Sequence, residues 1–375
     1  MPIDLVNLEP VLALMGLALL VAGLPLAWFW RRHRLATPSQ RLKALTLLTL
    51  TLTFELVLVG AFTRLTDSGL GCPDWPGCYG SATPLGAAQH IGAAQAAMPT
   101  GPVTHSKAWI EMVHRYMAMG VGVLIIVLTA MTWRTWRRQP QQAVHPLWPA
   151  VTLLWVCLQG AFGALTVTMK LFPAIVTTHL MLAVGLLVLL CLQALRYEGW
   201  GSVAMTRGQR RALWLAAGLL GLQIALGAWV STNYAVLACS DFPTCQGQWW
   251  PEMNWAGFAL WRELGLGADG QPLPFSALAS IHHVHRSMAW LVLAVLLAVG
   301  LHLRRQAGLV RPAHVLLALC ALQLLTGLSN VVLGWPLLAA VLHTGGASAL
   351  MLTLAWMLAL ARVAPVRLPQ AQASF

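Results

Sequence analysis

Residues 43–78 read KALTLLTLTLTFELVLVGAFTRLTDSGLGCPDWPGC. An apolar run is followed directly by a short loop that begins and ends with cysteine. A hydrocarbon core of about 30 Å needs roughly 20 apolar residues in a helix, so residues 43–65 are predicted to span a membrane. The cysteines of this stretch should then lie just beyond one membrane face.

The whole chain has the composition of an integral membrane protein. Hydrophobic residues make up 58% of its 375 residues and charged residues only 9%, against about 25% charged in a typical soluble protein. The 18 tryptophans suit bilayer interfaces, where indole side chains collect. A water-soluble fold is excluded, because it could not bury this much apolar surface.

Nine apolar stretches are predicted to be transmembrane helices, so the expected fold class is all-α. The first of them carries its positive charges after the apolar run, whereas a secretory signal carries them before it. We therefore expect a retained helix at this end of the chain. The nine stretches lie near 9–30, 43–65, 108–133, 147–169, 173–195, 211–232, 279–303, 313–333 and 337–361.

Positive charge indicates the orientation of these spans. Of the 23 Lys and Arg residues, 17 fall where the alternation of spans puts the cytoplasm, and six fall on the other side or near it. This is the bias known as the positive-inside rule, so the net charge of +12 indicates topology rather than nucleic-acid binding. We expect the N-terminus and the long loops 66–107 and 233–278 outside, and the C-terminus in the cytoplasm.

The stretch 43–78 has a second copy later in the chain. Gly60 in this stretch matches Gly227, and both of its cysteines match a second pair, all at an offset of 167. A His-Arg pair repeats at an offset of 171, and a Gln-to-His segment repeats at 164. The matched residues are Cys72 with Cys239, Cys78 with Cys245, His114-Arg115 with His285-Arg286, Gln159 with Gln323, and His179 with His343.

The repeat predicts two parallel, pseudo-symmetric four-helix transmembrane bundles related by an axis along the membrane normal. One extra N-terminal helix precedes them, which gives about nine spans. The expected units are residues 1–42 for the extra helix and a cytoplasmic linker, 43–200 for the first bundle, 201–362 for the second bundle and 363–375 for a cytoplasmic tail.

Four histidines lie within the predicted spans, at matching positions in the two units. Ionisable groups inside a membrane helix are costly and usually functional. Two neutral imidazoles opposed across a bundle suit an iron with two axial nitrogen ligands, as haem is commonly held. The alternative is a helix–helix hydrogen bond for each histidine, which two pairs in register make less favoured. The pairs are His114 with His179 and His285 with His343.

Glu111 distinguishes the first unit from the second. It precedes His114 by three residues, so both lie on one helix face, and its counterpart in the second unit is His282, followed by His283. We expect the first site to carry out chemistry and the second to hold a cofactor. The alternative for Glu111 is an ion pair with Arg115 near the interface.

The cysteines of each outer loop are most simply explained as a disulfide, because they are close in sequence and lie outside the cytoplasm. Two alternatives are a redox-active first pair and a metal site that includes His90 and His105. Cys157, Cys191 and Cys320 lie within spans and are interpreted as small core residues.

Three arginines lie near the outer mouths of the bundles, namely Arg64, Arg115 and Arg286. Guanidinium groups pair well with carboxylates, so these residues are candidates for binding haem propionates; the alternative is that each extends to the interface as a snorkelling side chain. Glu55 lies mid-span, where a functional role and a protonated core acid are equally favoured.

Taken together, these motifs resemble the haem A synthase family of the cytochrome oxidase assembly pathway. The resemblance covers about residues 43–362 and rests on the combination of its motifs. In its paired loop cysteines the chain is similar to the cysteine-bearing bacterial branch of the family. Its extra first helix departs from the eight transmembrane helices that are usual in the family. The motifs are GAFTRLTDSG at 60–69, CPDWPGC at 72–78, Glu111-x-x-His114-Arg115, His179, His285-Arg286 and His343.

The resemblance implies an oxidoreductase of the bacterial inner membrane that oxidises the C8 methyl of haem O to a formyl group, giving haem A for cytochrome oxidase. Haem O would bind between His114 and His179, with Glu111 as the catalytically important acidic residue, either a proton acceptor or an electrostatic stabiliser. A haem b would be held by His285 and His343. The loop cysteines would form the disulfides Cys72–Cys78 and Cys239–Cys245. The implied partners are a haem O synthase (protohaem farnesyltransferase), an unidentified electron acceptor and membrane lipid, with no nucleic acid.

Two rival functions are considered. A di-haem b-type electron-transfer protein without haem-modifying activity explains the four histidines but neither Glu111 nor the external cysteine pairs. A transporter built on a repeat usually has broken helices and midplane charges, whereas the ionisable residues here cluster near one face, with Glu55 as the exception.

Overall fold

The computed structural model describes residues 9–197 and 202–363. In that part of the chain it contains nine helices that are long and apolar enough to cross a membrane, so the protein is an all-α integral membrane protein, as predicted. The spanning helices are α1 (Glu9–Arg32), α2 (Pro38–Leu65), α4 (His105–Arg138), α5 (Leu147–Thr168), α6 (Pro173–Arg196), α7 (Arg207–Thr232), α8 (Phe275–Leu303), α9 (Val310–Val332) and α10 (Leu337–Leu360).

The helices begin before the apolar runs because polar residues cap them. Thr37 caps α2 and Thr206 caps α7, and each threonine forms a reciprocal capping box with a glutamine three residues later. Such a box satisfies backbone N–H groups that have no partner within the helix. A hydropathy pattern does not contain this polar first turn, so the predicted starts at residues 43 and 211 were too late.

The outer loops contain short elements that the apolar pattern did not predict. The first loop forms a ten-residue helix, α3 (Ala88–Ala97), which packs against α4. The second loop forms a single 3₁₀ turn at Trp255–Phe258, which packs against α8. Another 3₁₀ turn, Pro140–Gln142, follows α4.

The spanning helices pack as two rings of four. In the first bundle α2, α4, α5 and α6 contact one another in a closed ring, and in the second bundle α7, α8, α9 and α10 do the same. The two rings meet where α2 and α6 face α10 and α7. Equivalent helices of the repeat therefore occupy equivalent places.

The extra helix α1 packs on the outside of α4. Its buried face includes Leu14, Ala18 and Ala22. Gly120 of α4 permits a close approach, since a Cβ there would lie 2.9 Å from a methyl carbon of Val21. The outer part of α1 joins a buried cluster with Cys72 and other residues of the first loop.

A short parallel strand pair joins the segment before the first helix of the second bundle to the segment after its last helix. Strand β1 (Val203–Met205) precedes α7, and strand β2 (Ala361–Val363) follows α10. The predicted boundary between the units, at 200–201, and all of the predicted tail beyond Val363 lie outside the described residues. The exact unit boundaries therefore stay predictions.

Candidate functional site

A continuous cavity of about 700 Å³ extends across both bundles. Most of its wall is apolar, which suits a large hydrophobic ligand. Residues from eight of the spanning helices, all except α1, contribute to it. All the ionisable residues proposed for the two sites line this cavity: Glu111, His114, His179, His285, His343, Arg64, Arg115 and Arg286.

Each of the four histidines lies against a glycine of a neighbouring helix. A Cβ added at any of these glycines would come within 2.9–3.2 Å of the imidazole Cε1 atom, so no other residue leaves the ring this much room. The sequence repeat contains the glycines, but only the packing shows what they face. The pairs are Gly60 with His114, Gly163 with His179, Gly227 with His285 and Gly327 with His343.

The imidazoles of the first bundle have few polar contacts. The Nδ1 atoms of His114 and His179 are buried and have no hydrogen-bond partner among the described residues. Gln159 Nε2 lies 3.4 Å from His179 Nε2. In the first bundle the Nδ1 side of both rings thus lacks a polar partner.

The imidazoles of the second bundle are held by polar side chains. Gln223 Nε2 lies 3.0 Å from His285 Nδ1 and donates to the His285 carbonyl oxygen at 3.1 Å. The hydroxyl of Thr326 lies 3.0 Å from His343 Nδ1. Gln323, the counterpart of Gln159, donates to the His343 carbonyl oxygen at 2.9 Å instead of contacting the ring.

Glu111 is almost completely buried, with 3% of its surface exposed. Its Oε2 accepts a hydrogen bond from the backbone N–H of Cys72 at 2.8 Å, and its Oε1 pairs with the Arg115 guanidinium. The i,i+4 ion pair considered from the sequence is therefore present. The carboxylate also faces the cavity, so the ion pair and a role in chemistry are compatible.

His282 occupies the position of Glu111 in the second bundle. Its Nδ1 accepts a hydrogen bond from the backbone N–H of Cys239 at 3.2 Å, and the side chain is 5% exposed. Both bundles thus use this position to hold the first cysteine of the outer loop. Only the first bundle places a carboxylate there.

The outer cysteines form the bonds Cys72–Cys78 and Cys239–Cys245. No cluster of three or more metal-ligating side chains occurs in the described ranges, so the alternative of a metal site at these loops is not supported. In each loop an aspartate accepts two backbone N–H bonds across the turn: Asp74 from Tyr79 and Gly80, and Asp241 from Gln246 and Gly247. The Thr244 hydroxyl, which donates to Asp241, is the main reason why the pKa of this carboxyl falls to about 2.

Arg115 and Arg286 hold the cysteine loops as well as lining the cavity. Arg115 donates to the carbonyl oxygens of Asp74, at 2.9 Å, and Gly77, at 2.7 Å. Arg286 donates to those of Asp241, at 3.0 Å, and Pro243, at 3.2 Å. The sequence indicated two arginines at the outer mouth but not this anchoring role.

Arg64 joins the two bundles at their outer ends. It donates to the carbonyl oxygen of Ser231 and lies 4.0 Å from the centre of the Tyr234 ring. The Tyr234 hydroxyl donates to Asp67. Burial alone would raise the pKa of Asp67, but hydrogen bonds from Tyr234 and Lys107 hold it below its ordinary value. In both contacts the partners are 167 residues apart, so equivalent turns of the repeat meet here.

The structure also places the other residues that the sequence singled out, of which Cys157 lines the cavity. Glu55 is on the exposed surface of α2, so the hypothesis of a core acid was wrong. Cys157 is exposed and Cys320 is buried; only the latter fits the expected core role, with Cys191 intermediate. His90 stacks on the ring of Tyr79.

The residues around the cavity fit a haem. A six-coordinate haem iron needs an axial donor on each face of a flat macrocycle, and each bundle offers two imidazoles on different helices, each beside a glycine. The cavity is apolar with arginines near its outer end, as an amphipathic porphyrin requires. Gln223 and Thr326 were not predicted from the sequence, since a single polar residue in a span does not reveal which histidine it faces.

Comparison with known proteins gives a family. Residues 43–355 match the COX15-CtaA model, described as cytochrome oxidase assembly protein. This chain belongs to that family. The matched region begins after α1, so the extra helix lies outside it.

Individual relatives are similar over most of their lengths. A protein of Shewanella oneidensis named heme A synthase is 38% identical over 311 residues, which cover 82% of this chain and 92% of the relative. A protein of Rhizorhabdus wittichii with the same name is 29% identical and covers 86% of this chain and 95% of its own length. One from Halalkalibacterium halodurans, also named heme A synthase, is 26% identical, with coverages of 80% and 90%.

Proposed function

We propose that this protein is a haem A synthase, an oxidoreductase that converts the C8 methyl group of haem O into the formyl group of haem A. Family membership and the printed names of its relatives support the proposal. The observation that carries it is a difference between the two imidazole pairs: within the described residues, only the first has a buried carboxylate beside it. An electron carrier would need no such acid.

The two bundles are assigned different haems. In the first, His114 and His179 hold haem O as substrate; in the second, His285 and His343 hold a haem b as resident cofactor. When bound, the haem b supplies one-electron redox chemistry. The apolar cavity wall accommodates the hydrophobic tail of the substrate, and Arg64, Arg115 and Arg286 are the proposed partners of propionates.

Glu111 is proposed as the catalytically important carboxylate of the first site. The Cys72 N–H and the Arg115 guanidinium fix both carboxylate oxygens, so the group is held in one orientation as it faces the substrate. There it can accept a proton from the reacting carbon substituent or stabilise positive charge that develops nearby. The loop carbonyls bonded to Arg115 keep this pair in place.

The predicted location and partners complete the proposal. The protein is multi-pass, and we place it in the bacterial inner membrane with its cysteine loops outside. A haem O synthase would supply the substrate, and an electron acceptor not yet identified would receive the electrons that leave the methyl group. Cytochrome oxidase would use the haem A produced.

Haem extraction tests the activity. The protein is coexpressed with a haem O source, and the extracted haems are separated and identified by mass spectrometry. Appearance of haem A, absent from membranes without this chain, is the expected result. Unchanged haem O beside a bound haem b would instead support the electron carrier.

A further inference from the structure

The two bundles differ in what contacts the Nδ1 atoms of their histidines. In the second bundle Gln223 contacts His285 Nδ1 and Thr326 contacts His343 Nδ1. In the first bundle the Nδ1 atoms of both histidines are buried without a hydrogen-bond partner in the described structure. Each of the four imidazoles lies against a glycine of a neighbouring helix, here called its seat glycine, at a similar distance in both bundles. The difference at Nδ1 therefore does not follow from a difference in ring position.

The repeat shows why the first bundle lacks these contacts. Gln223 lies four residues before the seat glycine Gly227, and the residue four before Gly60 is Leu56. Thr326 immediately precedes the seat glycine Gly327, and the residue before Gly163 is Phe162. Apolar side chains thus occupy both equivalent positions of the first bundle.

A hydrogen bond to Nδ1 matters because it fixes the ring rotation and tautomer of a metal-bound histidine and raises its basicity. An imidazole that binds iron through Nε2 carries its remaining proton on Nδ1. The Thr326 oxygen can accept a hydrogen bond from this N–H of His343 while its own hydroxyl donates to the Leu322 carbonyl oxygen at 2.8 Å. Gln223 presents its Nε2 to His285 Nδ1, while its Oε1 is buried without a partner among the described residues. A half-turn of the amide would bring this oxygen, an acceptor, to the Nδ1–H of His285.

Gln159 adds a second difference between the bundles. It lies at the Nε2 atom of His179, which is the nitrogen that would coordinate iron, whereas its counterpart Gln323 is bonded to the backbone of α10. In the first bundle the glutamine can therefore replace iron as the partner of the ring. The second bundle offers no such replacement for His343.

We propose that Gln223 and Thr326 are positioning residues that lock the imidazoles of the second bundle for permanent haem retention, whereas Leu56 and Phe162 leave those of the first bundle free to release haem. This rests on the proposed function and extends it. A synthase must exchange substrate for product at one site and keep its cofactor at the other. The duplicated fold separates these tasks with two side chains per bundle.

The test measures haem transfer from the purified, membrane-reconstituted protein to excess apomyoglobin, together with the reduction potential of the retained haem. Thr326→Val and Gln223→Leu should each speed loss of haem b about 10- to 100-fold, the usual effect of losing an outer-sphere partner of a metal ligand. The reduction potential should rise, because a less basic imidazole stabilises ferric iron less.

Two control variants separate positioning from general structure. Thr326→Ser keeps the hydroxyl and should restore the wild-type rate and potential. Thr353→Val removes a hydroxyl that bonds only the carbonyl four residues earlier and is as buried as Thr326, with 5% against 6% exposed; it should behave as wild type. In the first bundle, Phe162→Thr should slow release of bound haem O.

The outcomes are distinguishable. Wild-type rates and potentials in both Thr326→Val and Gln223→Leu would overturn the inference even where haem A is still made. Faster loss in Thr353→Val equal to that in Thr326→Val would overturn it as well. Absence of haem A from wild-type membranes that retain haem b would refute the proposed activity instead, and the transfer rates would still report on the locked site.

Discussion

The first and second bundles carry different residues at the helix position that contacts the cysteine loop. Glu111 and His282 each accept the N–H of the first loop cysteine, so both do the same mechanical work. Only Glu111 brings a negative charge, and only it pairs with the following arginine. The anchoring contact is the same in both bundles while the charge at this position differs, as expected if the acid of the first bundle also serves the proposed reaction.

The largest expected effect is the loss of haem A formation when Glu111 is substituted. Glu111→Gln keeps an acceptor for the Cys72 N–H but removes the charge, so haem A formation should fall about 100-fold or more while haem b stays bound. Haem extraction and the low-spin haem spectrum measure the two. The matched variant His282→Gln should leave haem A formation near wild type; parallel loss of haem A and haem b in Glu111→Gln would assign this residue to structure.

Substituting the arginine that follows this position in each bundle tests the same comparison by the free energy of unfolding. Arg115→Met leaves Glu111 buried without its counter-charge and should cost about 3 kcal/mol or more, whereas Arg286→Met breaks hydrogen bonds to the loop alone and should cost about 1 kcal/mol. Denaturation in detergent compares them. The double variant Glu111→Gln with Arg115→Met should regain part of the loss, and equal costs for the two single variants would contradict this account.

The glycine seats predict a smaller effect that is confined to one bundle. In Gly227→Ala the new Cβ would lie 2.9 Å from His285 Cε1, so the ring must move, and affinity for haem b should drop about tenfold. Gly218→Ala, on the same helix with open space around it, is the control. A titration of haem into protein that was expressed without haem gives both affinities; the idea fails if the two variants bind alike.

The smallest effect concerns the second cysteine loop and pH. Because the folded pKa of Asp241 is about 2, below the ordinary value of 3.8, this carboxylate contributes stability above pH 3.8 that is lost as the pH falls toward 2. Thermal midpoints of wild type and Asp241→Asn should therefore differ at pH 5 and converge near pH 2. A constant difference at all pH values would show that ionisation of Asp241 plays no part.

Much of the architecture could be predicted because hydropathy and repeat spacing are local properties of the chain. The nine spans and the two four-helix bundles followed from them, and the structure places the four histidines at one cavity. Helix starts such as Pro38 and Arg207 were missed, since capping by Thr37 and Thr206 is a polar effect. The core-acid alternative for Glu55 was wrong because the position of a residue along a span does not indicate the direction of its side chain.

The sequence by itself determined that this chain lies in lipid, that it is duplicated and that an acid accompanies only the first pair of histidines. Only the tertiary structure decided which groups those histidines meet. Gly60 faces His114 and Thr326 faces His343 across helix boundaries, and Arg115 reaches back to a loop about 40 residues earlier. Such contacts depend on helix rotation and packing between distant segments, and no local pattern contains that information.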